Sequence, residues 1–105
     1  MTKIAVIQAA SVPYDPAASV EKASTILRRV ADQGARLAVF PEAFIGGYPK
    51  GIAFGSVVGN RSISGRELYQ RYVDGAVTLD GPELALLAES VEHTGVTTVI
   101  GVIER

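Results

Sequence analysis

The chain has 105 residues, of which 48% are hydrophobic and 20% charged, and it contains no low-complexity tract. This composition is that of a folded globular domain or of part of one. Ten basic and eleven acidic residues give a formal net charge of −1, so no basic surface indicates a nucleic-acid or anionic-membrane partner. The absence of cysteine excludes a disulfide framework, a thiolate metal site and a cysteine nucleophile within these residues.

The amino-terminal residues predict a cytoplasmic protein. Lys3 leads directly into a short apolar segment, residues 4–7, which is too short for the hydrophobic region of a signal peptide. No small-residue cleavage site follows it. The longest other apolar stretch, residues 51–59, is far below the roughly 20 residues that span a bilayer.

The next residues predict a strand, a helix and a second strand. Residues 3–9 form a continuous apolar run, which is typical of a strand buried on both faces of a sheet. Asp15 is placed to cap a helix that begins at Pro16, and apolar side chains recur at helical spacing over residues 17–33. Gly34 is predicted to be the left-handed residue that ends this helix.

The second predicted strand, residues 36–40, is stopped by Pro41, because proline cannot donate to a strand ladder. A strand–helix–strand unit of this length predicts two parallel neighbouring strands. The following segment, residues 43–63, is rich in glycine and aromatic residues and is predicted to be a long ordered loop.

Two further helices and a third strand are predicted in the rest of the chain. Residues 64–67, Ser-Gly-Arg-Glu, fit a capping box at the start of a helix that continues through Val73. Residues 80–83 mark the start of the third helix, and Gly95 ends it. The apolar stripe of that helix consists of Leu84, Leu87, Ala88 and Val91. The β-branched segment 96–103 predicts a strand, and the order of elements indicates an α/β protein.

Glu42 is the main candidate for chemistry, because it follows the carboxyl end of a predicted buried parallel strand. Open α/β sheets bind ligands at that edge. A carboxylate held there among apolar neighbours is poorly hydrated, which is a condition for general-base catalysis. The same position fits a carboxylate that only caps a turn or pairs with an arginine, and spacing alone leaves both interpretations open.

Three stretches of the sequence resemble the nitrilase branch of the carbon–nitrogen hydrolase superfamily, and together they extend over essentially the whole chain. They are residues 5–10 (AVIQAA) with the following Pro13 and Asp15, the long and specific segment 34–51 (GARLAVFPEAFIGGYPKG), and residues 99–105 (VIGVIER). The resemblance implies an α-β-β-α sandwich, of which residues 1–105 are the amino-terminal portion of a single hydrolase domain.

The resemblance also implies an activity, the hydrolysis of an organic nitrile to a carboxylic acid and ammonia through a glutamate, a lysine and a cysteine. The glutamate of the family's Phe-Pro-Glu motif matches Glu42, which by resemblance is the catalytic general base. Tyr48 is similar to a family tyrosine near the substrate pocket, although an aromatic residue on a loop also serves packing alone. The resemblance implies a small-molecule nitrile as substrate, a homo-oligomer with residues 64–72 near subunit contacts, and neither a metal nor an organic cofactor.

The sequence departs from the family in what it lacks. The family's lysine, in an Arg-Lys segment, and its cysteine, before a Trp-Glu, both lie downstream, and neither segment is present here. Lys50, the lysine nearest to Glu42 in sequence, is predicted to face solvent rather than to replace the missing one. We therefore predict that these 105 residues are about the first third of such an enzyme and are inactive alone.

Three alternatives are left open by the sequence. An amidase or carbamoyl hydrolase of the same superfamily shares the glutamate, although the residues that follow Glu42 favour a nitrilase. A non-catalytic, truncated association partner is the second alternative. A flavodoxin-like binding module ranks last, because residues 9–13 lack the glycines of a phosphate-binding loop.

Overall fold

The computed structural model describes residues 2–46, residue 70 and residues 73–104. The elements within these ranges are β1 (Lys3–Val6), α1 (Pro16–Asp32), β2 (Ala35–Val39), α2 (Pro82–Thr94) and β3 (Thr97–Val99). Most of the predicted loop and of the second predicted helix, including its capping box, lies outside the described residues, and residues 70, 73 and 74 are helical. Within the described ranges, no helix is long and apolar enough to cross a membrane.

The three strands form a parallel sheet in the order β1-β2-β3. Ala5 pairs with Ala38, and Ala38 pairs with Thr98 on its other side. Helix α1 connects β1 to β2 and packs against β2 and α2. The predicted parallel strand–helix–strand unit and the predicted α/β class are therefore confirmed.

Helix α1 begins and ends where the sequence predicts. The Asp15 carboxylate accepts a hydrogen bond from the Ala18 N–H at 3.0 Å, and Pro16 occupies the first helical position. Gly34 follows the helix with a φ of +87°, a left-handed conformation that glycine adopts without steric cost. The apolar side chains buried on the inner face of α1 are Val20, Ala23, Leu27 and Val30.

Replacing Asp15 by alanine is expected to lower the free energy of unfolding by about 1 kcal/mol, because the amino end of α1 loses its side-chain acceptor. Asp32→Ala is the matched control. Asp32 is exposed at the carboxyl end of the same helix, where a negative charge is unfavourable. Urea unfolding followed by circular dichroism measures both variants, and an equal loss of stability in the two would contradict the capping role of Asp15.

Helix α2 begins at Pro82 and ends at Thr94, and the Gly95 that follows it has a φ of +70°, as the sequence predicts. The side chains that pack toward the core are Leu84, Leu87 and Val91. Ala88 is exposed, so its predicted place in the apolar stripe is wrong. It lies about 100° around the helix from Leu87 and faces solvent.

In the described part of the chain, helices cover only one face of the sheet. Ala38 is fully buried on the helix side. On the opposite face Val6 is 72% exposed and Val99 is 56% exposed, with Val39 paired between them. The prediction that the first strand is buried on both faces is therefore wrong for these residues, because no described element packs on the second face. Parallel sheets normally have both faces covered, so this apolar face is typical of one side of a layered sandwich.

Candidate active site

Glu42 lies in a bulge between β2 and the chain that continues from β3. Phe40 N donates to Val99 O at 2.8 Å, and the next bond between these segments runs from Ile45 N to Gly101 O at 3.1 Å. Five residue steps, from 40 to 45, therefore oppose two, from 99 to 101, so three extra residues leave the ladder. The bulge places Glu42 at the edge of the sheet where the strands have their carboxyl ends.

Two buried phenylalanines hold the bulge on either side of Glu42. Phe40 is 6% exposed and Phe44 is 1% exposed, and their rings meet edge to face with centroids 5.2 Å apart. The chain rejoins the sheet at the fully buried Ile45, whose carbonyl oxygen accepts a hydrogen bond from Ile103 N at 2.8 Å. Because the chain is fixed in the core before and after Glu42, the backbone of Glu42 is held in place relative to the sheet.

The Glu42 side chain is exposed, whereas Phe40, Ala43 and Phe44 take the buried positions of the bulge. The expectation of a poorly hydrated carboxylate among apolar neighbours is therefore wrong for the described residues. Within those residues the Glu42 carboxylate makes no hydrogen bond and no ion pair, so neither the predicted turn cap nor an arginine pair is found among them.

Ala43 gives the bulge its sharp turn. Its φ is +51°, in the left-handed region that a residue other than glycine adopts at a cost of about 1–2 kcal/mol. The turn brings Phe44 back into the core directly after the exposed Glu42. Residues held in such conformations by their surroundings are common at functional sites.

Two glycines allow residues 42–46 and residues 101–103 to approach each other closely at the bulge. A Cβ atom on Gly101 would lie 3.1 Å from both Cα and the carbonyl carbon of Glu42, and closer still to Ala43 N. A Cβ atom on Gly46, which has a φ of +110°, would lie 2.7 Å from Ile103 Cβ. The sequence places Gly101 in a strand without assigning it a role. A lone glycine within a β-branched strand is the signal that points to a close backbone approach.

Glu42 lines neither of two grooves that the described residues form. One, of about 600 Å³, lies between α1 and α2 and is bordered by Arg28 and His93. The other, also of about 600 Å³, lies between α1 and the end of β1. Tyr48 and Lys50 lie outside the described residues, so the predicted pocket role of Tyr48 and the predicted exposure of Lys50 stay predictions. The candidate site thus depends on the placement of Glu42.

The sequence matches the carbon–nitrogen hydrolase family over residues 3–105, nearly the entire chain. The chain therefore belongs to the carbon–nitrogen hydrolase family. Its parallel sheet with packed helices agrees with the α/β fold that the resemblance to nitrilases implies.

Individual relatives are nitrilases from bacteria and plants. The chain is 52% identical over 103 residues to a nitrilase of Bradyrhizobium diazoefficiens, covering 98% of this chain and 32% of that protein. It is 48% identical over 107 residues to an aliphatic nitrilase of Sinorhizobium fredii, covering 100% of this chain and 35% of that protein. A bifunctional nitrilase/nitrile hydratase of Nicotiana tabacum is 46% identical over 100 residues, which are 95% of this chain and 29% of that protein. The chain thus spans about a third of the length of the curated relatives it matches.

Proposed function

We propose that this chain is the amino-terminal part of a nitrilase, which converts an organic nitrile and water into a carboxylic acid and ammonia. The observation that carries the proposal is the bulge after β2, which holds Glu42 at the carboxyl-end edge of a parallel sheet. Ligands bind α/β sheets at that edge. The names of the relatives support a nitrile as substrate, and their greater length supports a role for this chain as one part of the active enzyme.

In the proposed mechanism Glu42 acts as general base. Its carboxylate takes the proton from a cysteine thiol, and the thiolate forms a bond to the nitrile carbon. The nitrile nitrogen then takes that proton from Glu42, which gives a neutral thioimidate and restores the carboxylate. A lysine stabilises the charge on the attacked nitrogen. Water then adds to the thioimidate carbon and ammonia leaves, after which Glu42 activates a second water that hydrolyses the acyl-enzyme. The cysteine comes from outside these 105 residues, which contain none, and we assign the lysine to the same part of the protein.

The exposure of Glu42 fits a base whose reaction partners lie on another part of the protein. Its carboxylate has no polar partner among the described residues, so it is available to a thiol delivered by a covering layer. The apolar sheet face around Val6 and Val99 fits the inner face of a two-sheet sandwich in the same way. When the covering layer excludes water, the interaction of the carboxylate with the thiol proton becomes stronger.

Tyr48 is proposed to border the substrate, and the intact enzyme is proposed to be a cytoplasmic homo-oligomer.

The 105-residue chain alone is expected to release no ammonia from benzonitrile or from an aliphatic nitrile, because a base without its nucleophile cannot run covalent catalysis. The full-length protein, meaning the product of the reading frame that contains these residues, is expected to turn over one of the two nitriles. Both proteins are assayed for ammonia at equal molar concentration. Turnover by the purified short chain would contradict the proposal, as would a reading frame without an Arg-Lys and a later Cys-Trp-Glu segment.

An amidase or carbamoyl hydrolase of the same superfamily is the second candidate, since it shares the glutamate. The relatives named as nitrilases favour the nitrile substrate. Ammonia release by the full-length protein from a nitrile and from the corresponding amide, compared as kcat/KM, separates the two. A higher kcat/KM for the amide would replace the proposed activity with the second candidate. Release from neither would favour the non-catalytic association partner.

A further inference from the structure

Gly101 lies directly against the backbone of the turn that carries Glu42. Its carbonyl oxygen accepts the hydrogen bond from Ile45 N at 3.1 Å, which closes the bulge. A Cβ atom at this position would lie 3.1 Å from Glu42 Cα, and it would overlap Ala43 N. Carbon atoms in van der Waals contact are about 3.5–4.0 Å apart, so no side chain fits between the two segments.

The two ends of the bulge are fixed, so the bulge cannot move away as a whole to make room for a side chain at residue 101. Both of its ends are bonded to the segment that contains Gly101, through Phe40 N to Val99 O and through Ile45 N to Gly101 O. Phe40 and Phe44 are anchored in the core. The backbone that yields is therefore that of Glu42 and Ala43, which the new side chain meets and which lies between the two anchored phenylalanines.

We propose that Gly101 is a positioning residue for Glu42, because its missing side chain sets how far the Glu42 backbone stands from the sheet edge. The inference rests on the proposed role of Glu42 as general base. A catalytic group displaced by about 1 Å typically loses a factor on the order of 10² in rate. The addition of a single methyl group at residue 101 is therefore expected to reduce turnover although residue 101 does not itself contact the substrate.

The test is Gly101→Ala in the full-length protein, assayed for ammonia release from the nitrile that the wild type accepts. We expect kcat to fall about a hundredfold, with KM changed less than about threefold. Gly95→Ala is the matched control. Unlike Gly101, Gly95 has room for a Cβ atom, with nothing within 4 Å, and it lies at the end of α2. This control loses stability through its φ of +70° and is expected to keep kcat within about threefold of the wild type once folded.

A double-substitution cycle separates positioning from general damage to the fold. Glu42→Asp keeps the carboxylate but withdraws it by one methylene. If Gly101 acts through Glu42, Gly101→Ala costs less than about tenfold in the Glu42→Asp background, because the carboxylate is already displaced. Equal factors in both backgrounds, or an unchanged kcat in Gly101→Ala, would overturn the inference while leaving the proposed function intact. The proposed function fails by a different result, wild-type turnover in Glu42→Gln.

A second variant keeps the test decisive if Gly101→Ala does not fold. This variant combines Gly101→Ala with Ala43→Gly. The new methyl group meets the backbone nitrogen of residue 43, and a glycine there removes the strain of the left-handed conformation, since glycine adopts a φ of +51° freely. This variant is expected to fold with Glu42 still displaced, so the loss of kcat persists. Full wild-type turnover in the folded double variant would overturn the inference.

Discussion

Replacing Glu42 by glutamine in the full-length protein is expected to lower kcat for nitrile hydrolysis by roughly 10²–10⁴-fold, the usual contribution of general acid–base catalysis. Glutamine has nearly the same shape as glutamate but does not take the proton from a thiol. The side chain is exposed in the described part of the chain and makes no polar contact there, so the substitution removes no interaction among the described residues. The expected loss is therefore one of chemistry and not of stability.

Glu89→Gln is the control for the loss of one negative charge. Glu89 is exposed on α2, away from the bulge, and its substitution is expected to leave kcat within about twofold of the wild type. Initial rates of ammonia release at saturating nitrile give kcat, and circular dichroism confirms that both variants are folded. A Glu42→Gln variant with more than about a tenth of the wild-type kcat would remove Glu42 from the mechanism.

Phe44→Ala is expected to lower the free energy of unfolding by roughly 3–5 kcal/mol, the usual cost of truncating a buried phenylalanine. Phe44 is 1% exposed and packs edge to face against Phe40. The free energy of unfolding of a native protein is typically only about 5–15 kcal/mol, so the substitution removes much of the stability of the fold. Since Phe44 also returns the chain to the core after Glu42, the site loses its anchor on that side.

Leu86→Ala is the control for the loss of a large apolar side chain. Leu86 is 57% exposed on α2, and its truncation is expected to change the free energy of unfolding by no more than about 0.5 kcal/mol. Urea unfolding followed by circular dichroism measures both variants under the same conditions. If Phe44→Ala cost no more than Leu86→Ala, Phe44 would not be the core anchor of the bulge.

The Phe-Pro-Glu motif shows how much of the candidate site can be predicted from the sequence. The motif identifies Glu42 and, through the apolar run before it, places it after a parallel strand, which the structure has as β2. The outward orientation of Glu42 was not predictable from its neighbours, because apolar residues on both sides suggest burial for all. Contacts with the β3 segment decide which residues of the bulge enter the core, and those contacts join residues about sixty positions apart.

The sequence by itself determined where the helices begin and end, and it determined the class of fold. Asp15, Gly34 and Gly95 mark helix ends because capping bonds and left-handed conformations depend on a few adjacent residues. The parallel pairing of β1 with β2 follows from the helix between them.

Only the tertiary structure decided which face of the sheet the described helices leave uncovered, the three-residue bulge, the left-handed Ala43 and the approach of Gly101 to Glu42. Each of these depends on which segments pack together across the sheet, and steric contact between distant residues leaves no periodic pattern in the chain. A motif thus identifies Glu42 as the candidate base, whereas contacts with another chain segment, which includes Gly101, decide where Glu42 lies.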